Sequence, residues 1–219
     1  MSSTTFTISA APDTDIWRKP PTHDVFNAPT GSPPGTNSTY GPLPSFISAH
    51  ASFSFAWKEQ YDQGGLLLSF RQRSSSAPWS IPAKWIKTGI EFYNGQPMLS
   101  TVACDRWADW SVTPLTTAPS KQHDTRTDET ETETETDAKK TWTTLLIQKE
   151  GDENGVSLWV YHVLANGDKV PLREITWVYG DADPGQWDLE VLAMAARPAK
   201  TTTSSLKVEV KDMEVKWAT

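Results

Sequence analysis

The sequence predicts an antiparallel β-sandwich or jelly roll, and three observations carry that prediction. Among 219 residues there are 11 tryptophans and 27 threonines, types that suit a pleated, half-buried surface. Few stretches show the apolar spacing of a helix. Turn signals recur between alternating runs: Asn94-Gly95, Asp152-Glu153-Asn154-Gly155, Asn166-Gly167-Asp168 and Asp183-Pro184-Gly185, which reads as hairpins. About ten to fourteen strands without βαβ spacing fit two stacked antiparallel sheets.

Taken in order, a first strand is expected over 5–9, before a turn at Pro12-Asp13. Residues 18–45 are rich in Pro, Gly, Asn and Ser and read as a long loop with at most one short strand. Strands then follow near 46–57, 64–71, 84–93, 97–104, 108–113, 142–149, 156–164, 171–179, 186–196 and 205–217. In the last of these the alternation slips near Asp212, which predicts a bulge in an outer strand with one wet face. Segment 119–140 breaks the pattern and reads as a solvated Thr/Glu insertion. One domain over 1–219 is expected, with loop insertions at 18–45, 71–83 and 119–140.

Charge and composition exclude several classes. Lys and Arg number 20 against 27 Asp and Glu. Residues 124–137 hold seven acids and one Arg, so the remainder is 19 against 20. No basic stripe is left for a phosphate backbone, and no nucleic-acid partner is expected. No apolar run reaches the roughly 18 residues that span a bilayer, so no membrane role is expected. A single cysteine, Cys104, and no visible leader segment suggest a cytoplasmic protein. No metal site is expected, because the four histidines share no motif with that cysteine. Nor is there a Gly-rich phosphate loop, so no cofactor is expected.

Alternate residues of a strand face opposite sides. In Lys84–Tyr93, Ile86, Thr88, Ile90 and Phe92 share one face, which wants a core. Trp85, Lys87, Gly89 and Glu91 share the other. There an aromatic, a cation and a carboxylate surround a glycine that opens space. Lys87 and Glu91 would stand about 13 Å apart along the strand, too far for an ion pair. They would flank a ligand a few atoms long. In 156–164, Trp159 and Tyr161 share the parity opposite to Leu158 and Val160. A concave face lined by such aromatics and a few polar groups suits a small or sugar-like ligand.

The segments TDIWRK (14–19), YDQGGLLL (61–68), KWIKTGIEF (84–92) and WADWS (107–111) follow in that order. The tail LAMAARP (192–198) and LKVEVKDMEVKW (206–217) completes the set. By these motifs the chain resembles the regulation-of-enolase-protein-1-like family of the concanavalin A-like lectin/glucanase superfamily, over nearly its whole length. The resemblance implies a concanavalin A-like jelly roll of two curved sheets, and a regulatory role in metabolism rather than one defined activity. The chain departs from the family pattern at 119–140 and at 71–83, where Trp79 is placed to cover a site.

Two function classes follow. The first is a lectin-like or regulatory module that binds a small molecule without turnover, with a protein partner left open. The second is a cofactor-independent isomerase, cyclase or lyase of secondary metabolism, with Lys87, Glu91 and Asp109 as acid-base groups. A glycoside hydrolase is disfavoured: Asp188 and Glu190 are the nearest carboxylate pair, and no third spaced acid accompanies them. The candidate ligand contacts are Trp17, Arg18, Asp62, Gln63, Trp85, Trp110, Ser111, Trp159 and Tyr161. Arg18 suits a carboxylate or enolate oxygen. The glycines after Asp62-Gln63 permit a bulge, so parity does not say which of the two faces the ligand. Asp109 and Ser111 serve either a ligand hydroxyl or their own turn. Cys104 reads as a buried small hydrophobe. His23, in the long loop, is the better outside candidate for catalysis among the histidines.

Overall fold

In the computed structural model, described for residues 4–36, 38–75, 81–115 and 141–218, fifteen strands build two antiparallel sheets and a small hairpin. The strands are β1 (Thr5–Ala10), β2 (Ile16–Lys19), β3 (His23–Phe26), β4 (Thr30–Gly31), β5 (Tyr40–Pro42), β6 (Phe46–Ser54), β7 (Gln63–Gln72) and β8 (Lys84–Tyr93). After them come β9 (Gln96–Cys104), β10 (Ala108–Pro114), β11 (Thr143–Asp152), β12 (Gly155–Val163), β13 (Lys169–Ile175), β14 (Trp187–Ala196) and β15 (Leu206–Trp217). One sheet runs β1-β15-β6-β11-β12-β13 and the other β10-β9-β8-β7-β14-β4, with β5 also paired to β14. The expected jelly-roll sandwich is therefore the fold.

The two sheets meet over one apolar core. Phe53, Leu145, Ile147, Val160, Val208 and Val210 from the first pack against Leu66, Leu68, Phe70, Ile86, Ile90 and Val191 from the second. The alternation that predicts strands also places these residues: Ile86 and Ile90 point inward, and their odd-numbered neighbours point away from the core. The turn signals are used as read. Asn94 and Gly95 take φ of 51° and 76°, the left-handed pair that closes a two-residue hairpin between β8 and β9. The expected slip is a bulge. Asp212 has φ of 54°, and the register of β15 on β6 jumps between Lys211 and Glu214.

Three expectations need correction. First, β15 is not an outer strand over its whole length, because β1 pairs with its first half, Leu206–Lys211. Second, residues 18–45 are more than a loop with one strand. They complete the β2–β3 hairpin and supply β4 and β5, because Asp15 and Asn27 bind each other's backbone across the hairpin base. Third, the strand expected over 171–179 ends at Ile175, and a 3₁₀ turn follows over Trp177–Tyr179. Trp79 and the Thr/Glu segment 119–140 lie outside the described residues.

The hairpin decides what becomes of the seven-stranded sheet's outer face. A second apolar cluster forms there, away from the main core. Ile16, with Trp17 and Phe26, packs onto Leu67, Trp85, Val102, Cys104 and Met194. Part of the face expected to receive a ligand is thus covered by the chain's own side chains.

Candidate functional site

The uncovered part of that face holds a cleft, and two glycines make it. Gly89 on β8 stands opposite Gly65 on β7 and Ser100 on β9. A Cβ on Gly65 would lie 2.1 Å from the Thr88 carbonyl oxygen, and one on Gly89 would lie 2.2 Å from that of Gly64. Only glycine permits this approach of two backbones. With no side chain rising from either position, the bare backbone forms a floor. Lys87 bounds it on one side and Glu91 on the other, with Gln63, Ser100 and Met194 as walls. The cleft encloses about 210 Å³ of empty space, counting the part open to solvent. As a whole it has room for roughly one water molecule. It therefore suits the tip of a ligand rather than a whole one.

Lys87 is 5% exposed, and its ammonium has two acceptors. It donates to Gln63 Oε1 at 2.8 Å and to Asp15 Oδ1 at 3.3 Å, and it lies 5.9 Å from the centre of the Trp17 ring. Asp15 Oδ1 also accepts from the Ile16 backbone N–H at 2.7 Å. Gln63 is held in turn by a donation from Nε2 to the Tyr61 carbonyl at 3.2 Å. A buried ammonium needs such partners to offset the loss of water. The same contacts fasten the hairpin, through Asp15, to the sheet.

Glu91 is 6% exposed and differently placed. It accepts one hydrogen bond, from Trp110 Nε1 at 3.0 Å, and that N–H is shared with Ser100 Oγ at 3.1 Å. Among the described residues no cation lies within ion-pair distance of it. Trp110 belongs to a cluster of three rings. Tyr93 and Trp110 meet edge to face at 4.9 Å, and Tyr61 lies 5.8 Å from Tyr93 and 6.5 Å from Trp110. Tyr61 is 39% exposed.

Of the candidate residues, the structure brings Lys87, Glu91, Gln63, Trp85, Trp17 and Trp110 to one face. Arg18 is on the hairpin above it, and it is committed to structure. Its guanidinium pairs with Asp24 at 3.0 Å and donates to the carbonyls of Ala83 and Pro82 at 3.0 and 3.3 Å.

The remaining candidates lie elsewhere. Asp62 is fully buried and gripped by Arg197 at 2.7 and 2.8 Å, and it caps the Lys58 and Glu59 backbone N–H groups. Between the two residues that parity left open, Gln63 is the one at the cleft. Asp109 pairs with Ala103, a core-side residue, so it points to the other face of β10. There it forms an ion pair with Arg173 of the opposite sheet, which also donates to Ser111 Oγ. These contacts close the edge of the sandwich and do not join Lys87 and Glu91. Trp159 and Tyr161 belong to the six-stranded sheet and stack on its outer face at 6.0 Å. His23 is exposed on β3.

Four contributors escape a reading of the sequence. Asp15 sits just before a strand and meets Lys87 across 72 positions. Arg197 and Arg173 are partners revealed by topology alone. Tyr93 had a usable signal, since it follows Lys87 and Glu91 at the same parity.

Burial pushes the Cys104 thiol up to about 11, as expected for a buried small hydrophobe rather than a nucleophile. The Arg197 guanidinium is held above its ordinary value, chiefly by its hydrogen bonds to Asp62. Among the described residues no three His, Cys, Asp or Glu side chains gather as metal ligands. No helix among them is long and apolar enough to cross a membrane.

Fold and site together define a jelly-roll β-sandwich with a small polar cleft on one outer face. The chain belongs to a family described as a protein of unknown function (DUF1349), whose model matches residues 1–217. It is 37% identical over 219 residues to the "Uncharacterized protein AN7484" of Emericella nidulans, a match covering 96% of this chain and 89% of that protein. Among solved structures it is similar to "a functionally unknown protein from Saccharomyces cerevisiae" (TM-score 0.55, 17% identity, 99% of this chain and 89% of the other). A Clostridium perfringens endo-β-galactosidase aligns at TM-score 0.48 and 7% identity, over 98% of this chain and 47% of its own. These structural likenesses concern the fold.

Proposed function

We propose that the chain is a small-ligand-binding protein, regulatory in the manner of the regulation-of-enolase-protein-1-like group it resembles, and that the glycine-floored cleft is its site. One observation carries the reading. A buried cation, a buried carboxylate and a neutral amide converge on a floor kept bare by Gly65 and Gly89. Side chains that merely filled space would not leave that floor empty. Binding is favoured over turnover by the state of Lys87. Its ammonium already donates to Asp15 and Gln63, so moving a proton there would break two buried contacts. The small size of the cleft agrees, since it admits one group of a ligand and not a reacting skeleton.

The second reading is a cofactor-independent isomerase, cyclase or lyase. What favours it is Glu91, whose carboxylate has one N–H donor and borders the cleft, as a general base would.

The test is native mass spectrometry of the full chain after incubation with a desalted cell extract, beside a Gln63→Ala variant. A compound retained unchanged by the parent and lost by the variant supports binding. A compound consumed without added cofactor, with a product of equal mass and no turnover by Glu91→Gln, supports the second reading. No retention and no consumption overturns both.

A further inference from the structure

We infer that a second hollow on the same sheet face, over β7 and β14, binds a zwitterionic α-amino acid with an apolar side chain. It shares no lining residue with the glycine-floored cleft and does not depend on that cleft being a site. Its room is about 330 Å³, against about 10 Å³ in the cleft, which places it among pockets that hold a whole small molecule.

Strand register sets out its floor. Leu67, Ser69 and Arg71 share the outward parity of β7, and Glu190 and Leu192 that of β14. Leu67 stands opposite Leu192 and Ser69 opposite Glu190, with Arg71 one step further along β7. The hollow therefore changes character along the strands, at about 6.6 Å for every two residues. One end is apolar, where Phe26 packs on the cluster that contains Leu67. The other end holds a hydroxyl, a carboxylate and a guanidinium. Ser69 is 3% exposed, and its hydroxyl has no hydrogen-bond partner among the described residues. Glu190, directly across from it, takes neither a hydrogen bond nor an ion pair among them. Buried polar groups are ordinarily paired, so this end has places for partners that a ligand would bring. Arg71 adds a positive charge. Burial lowers its guanidinium from the ordinary value, and the neighbouring Glu190 charge acts the other way. The polar end is thus neutral in sum but divided into a negative and a positive half. An α-amino acid carries the complement on one carbon: an ammonium for Glu190, a carboxylate for Arg71, and a side chain for the apolar end. Ser69 can serve either charged group. An amine alone would meet the charge of Arg71, and an acid alone that of Glu190. A sugar would set hydroxyls against Leu67, Leu192 and Phe26.

The experiment is isothermal titration of the full chain with L-leucine and L-phenylalanine. Phenethylamine and 3-phenylpropionate keep the ring and remove one charge, glycine removes the side chain, and glucose represents neutral sugars. The expected result is saturable binding of both amino acids, with every control about tenfold weaker or more. Glu190→Gln should weaken L-phenylalanine about tenfold, and Ser69→Ala about threefold. Both substitutions remove groups that hold no hydrogen bond among the described residues, so they leave folding intact, and an unchanged urea midpoint checks this. Equal binding by parent and Glu190→Gln overturns the inference, as does glucose, phenethylamine or 3-phenylpropionate binding as tightly as L-phenylalanine. Loss in Gln63→Ala with none in Glu190→Gln moves the ligand to the glycine-floored cleft and overturns it too. Binding of neither amino acid overturns it outright and leaves the separate test of that cleft standing.

Discussion

Both sheets turn a tryptophan and a tyrosine away from the core, yet their outer faces have opposite characters. On the six-stranded sheet, Trp159 and Tyr161 lie over a wet surface among charged neighbours. Tyr161 donates to Glu150, and Lys169 sits 5.6 Å from the Tyr161 ring. On the seven-stranded sheet, the β2–β3 hairpin packs over the tryptophan. Trp85 is fully buried beneath it, and Lys87 and Glu91 lose nearly all contact with water. The same alternation in sequence thus gives a solvated surface in one place and a sealed one with a residual cleft in the other. What differs is a segment far away in the chain that supplies a lid of Ile16, Trp17 and Phe26. Aromatic content does not mark a site by itself. Burial of charge beside a gap in the packing is what supports the proposed one.

The comparison can be broken at matched positions. The largest contrast should come from glycine. Gly89→Ala drives a Cβ into the Gly64 carbonyl, a backbone clash no rotamer relieves, and should cost about 5 kcal/mol or prevent folding. Gly151→Ala on β11 meets only ordinary contacts at 3.5 Å and should change stability by about 0.5 kcal/mol or less. Urea unfolding of the two variants measures both. If Gly89→Ala is harmless, the floor of the cleft is not as described.

Next in size are the tryptophans. Trp85→Ala should cost about 4 kcal/mol, and Trp159→Ala about 1 kcal/mol, mostly its stacking on Tyr161. Equal losses in chemical denaturation would mean that the hairpin does not seal its face. The lysines sharpen the point at lower energy. Lys87→Ala strips Asp15 and Gln63 of a buried donor and should cost about 2 kcal/mol. Lys169→Ala removes an exposed contact and should cost about 0.5 kcal/mol or less. Faster amide hydrogen exchange in the β2–β3 hairpin of Lys87→Ala would add that the lid loosens with its tether.

The smallest contrast is in pH dependence. Burial holds the Cys104 thiol at about 11 against an ordinary 9.0, so the folded state keeps its proton longer than the unfolded one. That stabilisation is complete below about pH 9 and is lost as pH rises towards 11. His162, in the six-stranded sheet, has its pKa lowered by burial from 6.5. The unfolded state takes up that proton first, so its contribution is present above 6.5 and is lost as pH falls below it. Melting curves of Cys104→Ala and His162→Gln against pH should flatten the alkaline and the acid limb respectively.

Much of this was legible in the sequence, and the gaps have physical causes. The face of β8 could be read because a strand's period is two whatever surrounds it, and Trp85, Lys87, Gly89 and Glu91 do share a side. The bulge at Asp212 was visible as a slip of that same period. Parity within β12 is equally clear, but it does not say that β12 belongs to the other sheet, so it cannot show that Trp159 and Tyr161 lie away from the cleft. Asp109 was misplaced for a related reason. The face of β10 that it occupies is set by pairing with β9, and only the register reveals that Trp110, not its neighbour, joins Glu91. Asp15 carried no signal, because it lies before a strand and its contact with Lys87 spans 72 positions.

The glycine pair has one more consequence, for how such a molecule diversifies. A pocket floored by side chains can be recut by changing them one at a time. This floor is main chain, and either position admits no other residue without moving two strands. For the proposed site, new specificities must therefore be written around the floor, in residues such as Gln63, Ser100 and Met194, while the floor itself stays unchanged.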